Sequence, residues 1–120
     1  MRQIILDTET TGLGFGAGTY AFLVGIAYVE DEEFVSEQLF MASPAEEKAM
    51  LNYLTHHLNR ASALVTYNGK SYDMPLLATR LSLNGLSAPK TMPHFDLYQL
   101  TRGILKRRLR RRRLSDLERT

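Results

Sequence analysis

The chain has 120 residues, 44% hydrophobic and 23% charged, with no cysteine and a formal net charge of +2. That length suits one domain with one core, and that balance excludes a wholly disordered chain. Without cysteine there is no disulfide, thiolate zinc site, iron–sulfur cluster or cysteine nucleophile. No apolar run reaches the roughly 18 residues of a membrane span. Met1–Asp7 is too short and turns acidic too soon for a signal peptide, so the expected setting is the cytoplasm, without membrane contact.

In chain order, Gln3–Glu9 opens with Ile4, Ile5 and Leu6 and reads as a buried strand. A glycine-rich turn, Gly12–Gly18, leads to a second strand over Tyr20–Glu30. Asp31-Glu32 then turns the chain into a third strand over Glu33–Met41, giving a hairpin. Ser43-Pro44-Ala45-Glu46 has the form of a helix start, with Met50, Leu51, Leu54 and Leu58 repeating at helical spacing behind it; the predicted helix is Pro44–Asn59. A short apolar strand follows at Ala63–Tyr67. Ser71 is the expected cap of a second helix that runs to about Asn84 and is stopped by Gly85, with Pro75 tolerated in its first turn. Pro93–Leu97 reads as a last strand and Tyr98 to about Arg113 as a last helix. The order β-β-β-α-β-α-β-α implies a mixed α/β sheet, a meander first and helical crossovers after it, in a single domain over residues 1–120.

The charge is uneven. Residues 1–105 carry 7 Lys/Arg against 11 Asp/Glu, whereas 106–120 carry 8 against 2. A basic run holding Arg107, Arg108, Arg110 and Arg111, with Leu105 and Leu109 at helical spacing, is a candidate surface for a polyanion, with a solvated helix face as the plainer reading. The thin apolar stripe, without aromatics, favours nucleic acid over membrane.

The sharpest chemical feature is Asp7-Thr8-Glu9 at the end of the first strand. Side chains two apart on a strand share a face, so the two carboxylates converge. Such a pair repels unless a hard divalent cation compensates; two solvated strand-end acids are the alternative. Asn68-Gly69-Lys70-Ser71-Tyr72-Asp73 leaves a second apolar strand and places Asp73 in the first turn of a helix, where it is either a partner for the helix dipole or a third acid at the carboxyl ends of neighbouring strands.

Asp7-Thr8-Glu9-Thr10-Thr11-Gly12-Leu13 resembles the first motif of the DEDD (DnaQ-type) 3′–5′ exonucleases of the ribonuclease-H-like superfamily. Tyr67 to Arg80 resembles their second motif as it occurs in family-B polymerase proofreading domains. Gly18–Gly25, Pro93–Leu97 and Arg113–Glu118 narrow the resemblance to the YprB-like ribonuclease-H-like domains. The resemblance implies a two-metal Mg²⁺ or Mn²⁺ site that hydrolyses phosphodiesters of single-stranded DNA or RNA. Asp7 would bridge both cations, Glu9 would hold the one that activates water, and Asp73 would hold the other. Thr8, Thr10 and Leu13 would contact the terminal nucleotide. Asn68 would position the strand near the scissile phosphate, or simply serve the turn beside Gly69. The same pattern calls for a fourth acid, preceded by a His or Tyr general base, on a later helix. Nothing after Asp96 supplies it, and His94 with Asp96 lacks the spacing, so the domain is expected to be incomplete at its C-terminus and to bind cations weakly.

Other chemistries fail on spacing. Gly69-Lys70-Ser71 lacks the earlier glycine of a phosphate-binding loop, because residue 64 is leucine. His56-His57 lacks the spacing of a zinc protease and is read as a surface pair. Two functions remain: a metal-dependent nuclease, and a non-catalytic nucleic-acid-binding module that uses the arginine-rich helix. Binding through arginines falls with salt and ignores EDTA, whereas cleavage needs the cation.

Overall fold

A computed structural model describes residues 2–11 and 19–104. Five strands form one mixed sheet: β1 (Arg2–Thr10), β2 (Ala21–Glu30), β3 (Glu33–Phe40), β4 (Ala61–Thr66) and β5 (His94–Asp96). Their spatial order is β3-β2-β1-β4-β5. The first three meander antiparallel, and β4 and β5 run parallel to β1. Helices α1 (Glu47–Asn59) and α2 (Asp73–Leu83) make the crossovers, and residues 97–104 are helical after β5. The mixed α/β architecture expected from the sequence is present.

The strand alternation builds the core. Ile4 and Leu6, Val24 and Ile26, and Leu64 turn to the face covered by both helices, where Met50, Leu51, Leu54 and Leu58 of α1 meet Leu76, Leu77 and Leu81 of α2. The opposite face is exposed at Ile5, Val29, Phe34, Phe40 and Phe95. The hairpin turn places Asp31 and Glu32 at φ of 51° and 66°, the left-handed pair that matches the twist of a two-residue hairpin. Gly85, at φ 68°, ends α2: its amide donates to the Ser82 carbonyl and that of Leu86 to the Leu81 carbonyl, the bonding of a left-handed helix stop.

Several boundaries move for physical reasons. Residues 44–59 are not one helix, because Pro44–Glu46 form a tighter 3-10 turn before α1 begins. Within that turn Glu46 reaches back to accept the amides of Ala42 and Ser43 at 2.9 and 3.1 Å. Ser71 does not cap α2; the helix starts at Asp73, and Tyr72 stands at the cap position without a side-chain capping bond. The fourth strand starts two residues early, where Ala61 pairs with Arg2. His57 is not a surface residue. It is buried between the rings of Tyr28 and Tyr53, with Glu37 beside its Nε2, while His56 is exposed. Burial, outweighing the nearby Glu37 charge, pushes the His57 imidazole below its ordinary pKa. The predicted last helix is seen over 97–104; its remainder, with Arg107, Arg108, Arg110 and Arg111, and Leu13 in the glycine-rich turn, lie outside the described residues. No described helix is long and apolar enough to cross a membrane.

Candidate active site

Asp7 and Glu9 stand at the carboxyl end of β1, and Thr8 between them reaches Asp73. The parallel pairing with β4 runs to Ile5 opposite Val65, so Asp7–Thr10 extend past it. Antiparallel pairing with β2 continues there, with Asp7 opposite Gly25 and Glu9 opposite Leu23. Asp7 and Glu9 are exposed on the uncovered sheet face and border a groove of about 270 Å³ that runs over Gly25 to Ser36 and Gln38. Gly25 is suited to its place: a side chain there would fill the space between the Asp7 strand and the Gln38 amide, which lies 3.5 Å from where its Cβ would be.

Thr8, between them, points to the helix side and donates its hydroxyl to Asp73 Oδ1 at 2.9 Å. Asp73 is half-buried, and its second oxygen, Oδ2, is enclosed without a hydrogen-bond partner. Burial lifts the Asp73 carboxyl above its ordinary pKa. The Thr8 hydroxyl opposes that rise, and the charges of Asp7, Asp96 and Glu9 add to it. Asp7, Glu9 and Asp73 therefore share one electrostatic neighbourhood. They do not converge on one point: among the described residues, no three acids or histidines are arranged to hold an ion.

The turn that carries Asp73 is held by Asn68, already a candidate turn residue, and by Asp96 and Thr66, whose part in it sequence reasoning passed over. Asn68 sits at φ 62°, in the left-handed region. Asp96, 2% exposed, accepts the Asn68 amide at 2.7 Å and the Lys70 amide at 3.1 Å. It also accepts the Tyr98 amide at 3.0 Å, so it caps the helix at 97–104. Burial alone would raise the Asp96 carboxyl, but hydrogen bonds from the amides of Asn68, Lys70, Tyr98 and Gln99 outweigh it and hold the pKa low. The signal was in the sequence: an aspartate directly ahead of a helical run is a cap.

Thr66 completes the turn. Its Oγ1 accepts the Gly69 amide at 3.1 Å and lies 2.7 Å from His94 Nε2. Burial first, and the Lys70 charge next, push the His94 imidazole below its ordinary pKa. A Cβ on Gly69 would meet Thr66 Cγ2 at 2.7 Å and its Cβ at 2.5 Å. Gly69→Ala must therefore expel Thr66 from both bonds, and a loss of about 1–3 kcal/mol is expected, read as a lower urea midpoint at unchanged slope.

The RNase H superfamily model RNase_H_2 matches residues 4–120. The chain belongs to the ribonuclease H superfamily. It is similar to the uncharacterized protein YprB of Bacillus subtilis (strain 168), at 39% identity over 114 residues, which are 93% of this chain and 27% of that protein. The chain thus spans about a quarter of that relative's length. Among solved structures, the family B DNA polymerase of Pyrobaculum calidifontis shares the fold over 81% of this chain and 15% of its own, with a TM-score of 0.63 at 15% identity. This ribonuclease-H-like domain is therefore of the YprB-like kind, and its mixed sheet is the one expected from the motif resemblance.

Proposed function

We propose that this domain is a metal-dependent nuclease that shortens single-stranded DNA or RNA from the 3′ end, with Asp7, Glu9 and Asp73 as its metal-holding acids. One observation carries the reading: the enclosed Asp73 Oδ2 has no hydrogen-bond partner, in a carboxyl on which the charges of Asp7, Asp96 and Glu9 act. A buried carboxylate oxygen without a donor is costly, and crowding it with acids adds to the cost. An all-oxygen donor set of that charge suits Mg²⁺ or Mn²⁺ better than a soft ion.

When bound, such cations supply an activated water and charge to offset the attacking and leaving phosphodiester oxygens. The chain's own groups do the rest. Thr8 holds the Asp73 carboxylate by one oxygen and leaves the other for the cation. Asp7 and Glu9 stand on a paired strand, a rigid element that fixes their spacing. Thr10, at the last position of that strand, would contact a terminal nucleotide if the motif resemblance carries over. Direction and strand preference rest on the motif resemblance.

The test is digestion of 5′-labelled single-stranded DNA and RNA by the 120-residue chain, with Mn²⁺ and with EDTA. A ladder of shortened products with Mn²⁺, absent with EDTA, is the expected outcome. Strands bound but uncut, with binding that ignores EDTA and falls with salt, would replace this reading with the non-catalytic module.

A further inference from the structure

Three consecutive amides, those of Asn68, Gly69 and Lys70, point inward from the turn between β4 and α2, and each is taken by a side chain. With Asn68 left-handed, successive amides of this kind form a concavity suited to an anion. In many nucleotide-binding loops that anion is a phosphate. In this turn it is the Asp96 carboxylate, whose two oxygens take the outer amides while Thr66 takes the middle one. The same turn launches α2: the Tyr72 amide donates to the Asn68 carbonyl at 3.2 Å, and the Met74 amide to the Gly69 carbonyl at 2.8 Å. Asp73 lies between Tyr72 and Met74. A continuous set of hydrogen bonds thus leads from β5, through the turn, to the backbone on either side of Asp73.

We propose that Asp96 is the positioning residue for Asp73: as the internal anion of the Asn68–Lys70 turn, it fixes where the Asp73 carboxylate stands relative to Asp7 and Glu9. This rests on the metal-site reading above. Asp96 is not itself a ligand, because its oxygens are occupied by backbone amides and the residue is closed to solvent. Its charge locks the turn by accepting the Asn68 and Lys70 amides. The turn is closed to phosphate for the same reason, so Gly69-Lys70-Ser71 does not act as a nucleotide-binding loop.

The experiment is a Mn²⁺ titration followed by the free-ion EPR signal, on wild type, Asp96→Asn, Asp73→Asn and the double variant, each shown to be folded by circular dichroism. Asparagine keeps the shape but loses the charge and turns one acceptor into a donor against the amides. Mn²⁺ affinity should fall about 10-fold or more in Asp96→Asn, the usual consequence of losing a group that orients a ligand. In the Asp73→Asn background the second change should add nothing, since the group being oriented is already gone. A role in stability alone would lower the melting temperature and leave the affinity of the folded protein unchanged, and that result would overturn the proposal. Additive losses would overturn it as well, by making Asp96 an independent ligand. Wild type that binds no Mn²⁺ would remove the metal reading and this inference with it, which is distinct from a wild type that binds and a variant that binds equally. Should Asp96→Asn not fold, amide exchange in the wild type decides. Asn68 and Lys70 amides as slow as those inside β4 support the anchor; exchange as fast as at the Asp31-Glu32 turn overturns it.

Discussion

Asp7→Asn should abolish Mn²⁺-dependent cleavage while leaving the fold as stable as before, or slightly more so. The two halves of that expectation come from different observations. Asp7 is exposed on a sheet face that no described element covers, so its replacement leaves no cavity and no unpaired buried partner, and such surface changes usually stay within about 0.5 kcal/mol. Its negative charge also presses on Asp73, so its loss relieves a repulsion. Activity has no such tolerance: if Asp7 is shared between cations, removing it loses both, and a fall of at least 10³ in rate is expected, about 4 kcal/mol of transition-state stabilisation. The measurement is the digestion assay beside a urea melt on the same preparation, with Asp31→Asn as a charge-matched control at the far end of the hairpin. A variant that cuts at the wild-type rate would sink the assignment of the site. A stable variant that cuts nothing would be the common pattern in which function is kept at the expense of stability.

Much of this was legible because local signals agreed. The apolar run at Ile4–Leu6, the Asp31-Glu32 turn and the 50, 51, 54, 58 spacing each specify an element without help from distant residues. Period two along β1 likewise puts Asp7 and Glu9 on one face. The features that escaped reading are those set by partners far away in the chain. Ser71 is a good cap by type, yet the amides it would serve come after a turn whose shape Asp96 dictates from 25 residues further on. His57 looks like a helix-end surface residue until Arg2 and Tyr28 arrive from the sheet: the Arg2 guanidinium stacks 3.9 Å over Tyr28 and lies 3.4 Å from His57 Nδ1. Thr8, flanked by the two conspicuous acids, gives no sign in sequence that it faces the other way to hold the third. Alternation says which side it points to, but only the crossover through α2 says what waits there.

The largest loss of stability should come from Glu47→Ala, at the junction of the two helices. Glu47 opens α1 and is 6% exposed. Arg80 of α2 grips it with both arms of its fork, Nε to Oε2 at 2.8 Å and Nη2 to Oε1 at 2.6 Å, and Asn84 adds Nδ2 to Oε1 at 2.9 Å. Truncation takes the Glu47 counter-charge and two charge-assisted bonds from the part-buried Arg80 guanidinium, at a cost of about 3 kcal/mol. Glu47→Gln keeps the volume and one acceptor, so it should cost less. Burial alone would raise the Glu47 carboxyl, but the Arg80 and Asn84 hydrogen bonds outweigh it and hold it below its ordinary value of 4.5. A pKa depressed in the folded state means that its contribution is complete above the unfolded value and is lost as the pH falls through the folded one. Urea melts of wild type and Glu47→Gln should therefore differ by a constant amount from pH 7 down to about 5, then converge as the medium is acidified. Curves that stay parallel into acid would show that the clamp works by packing, not by charge.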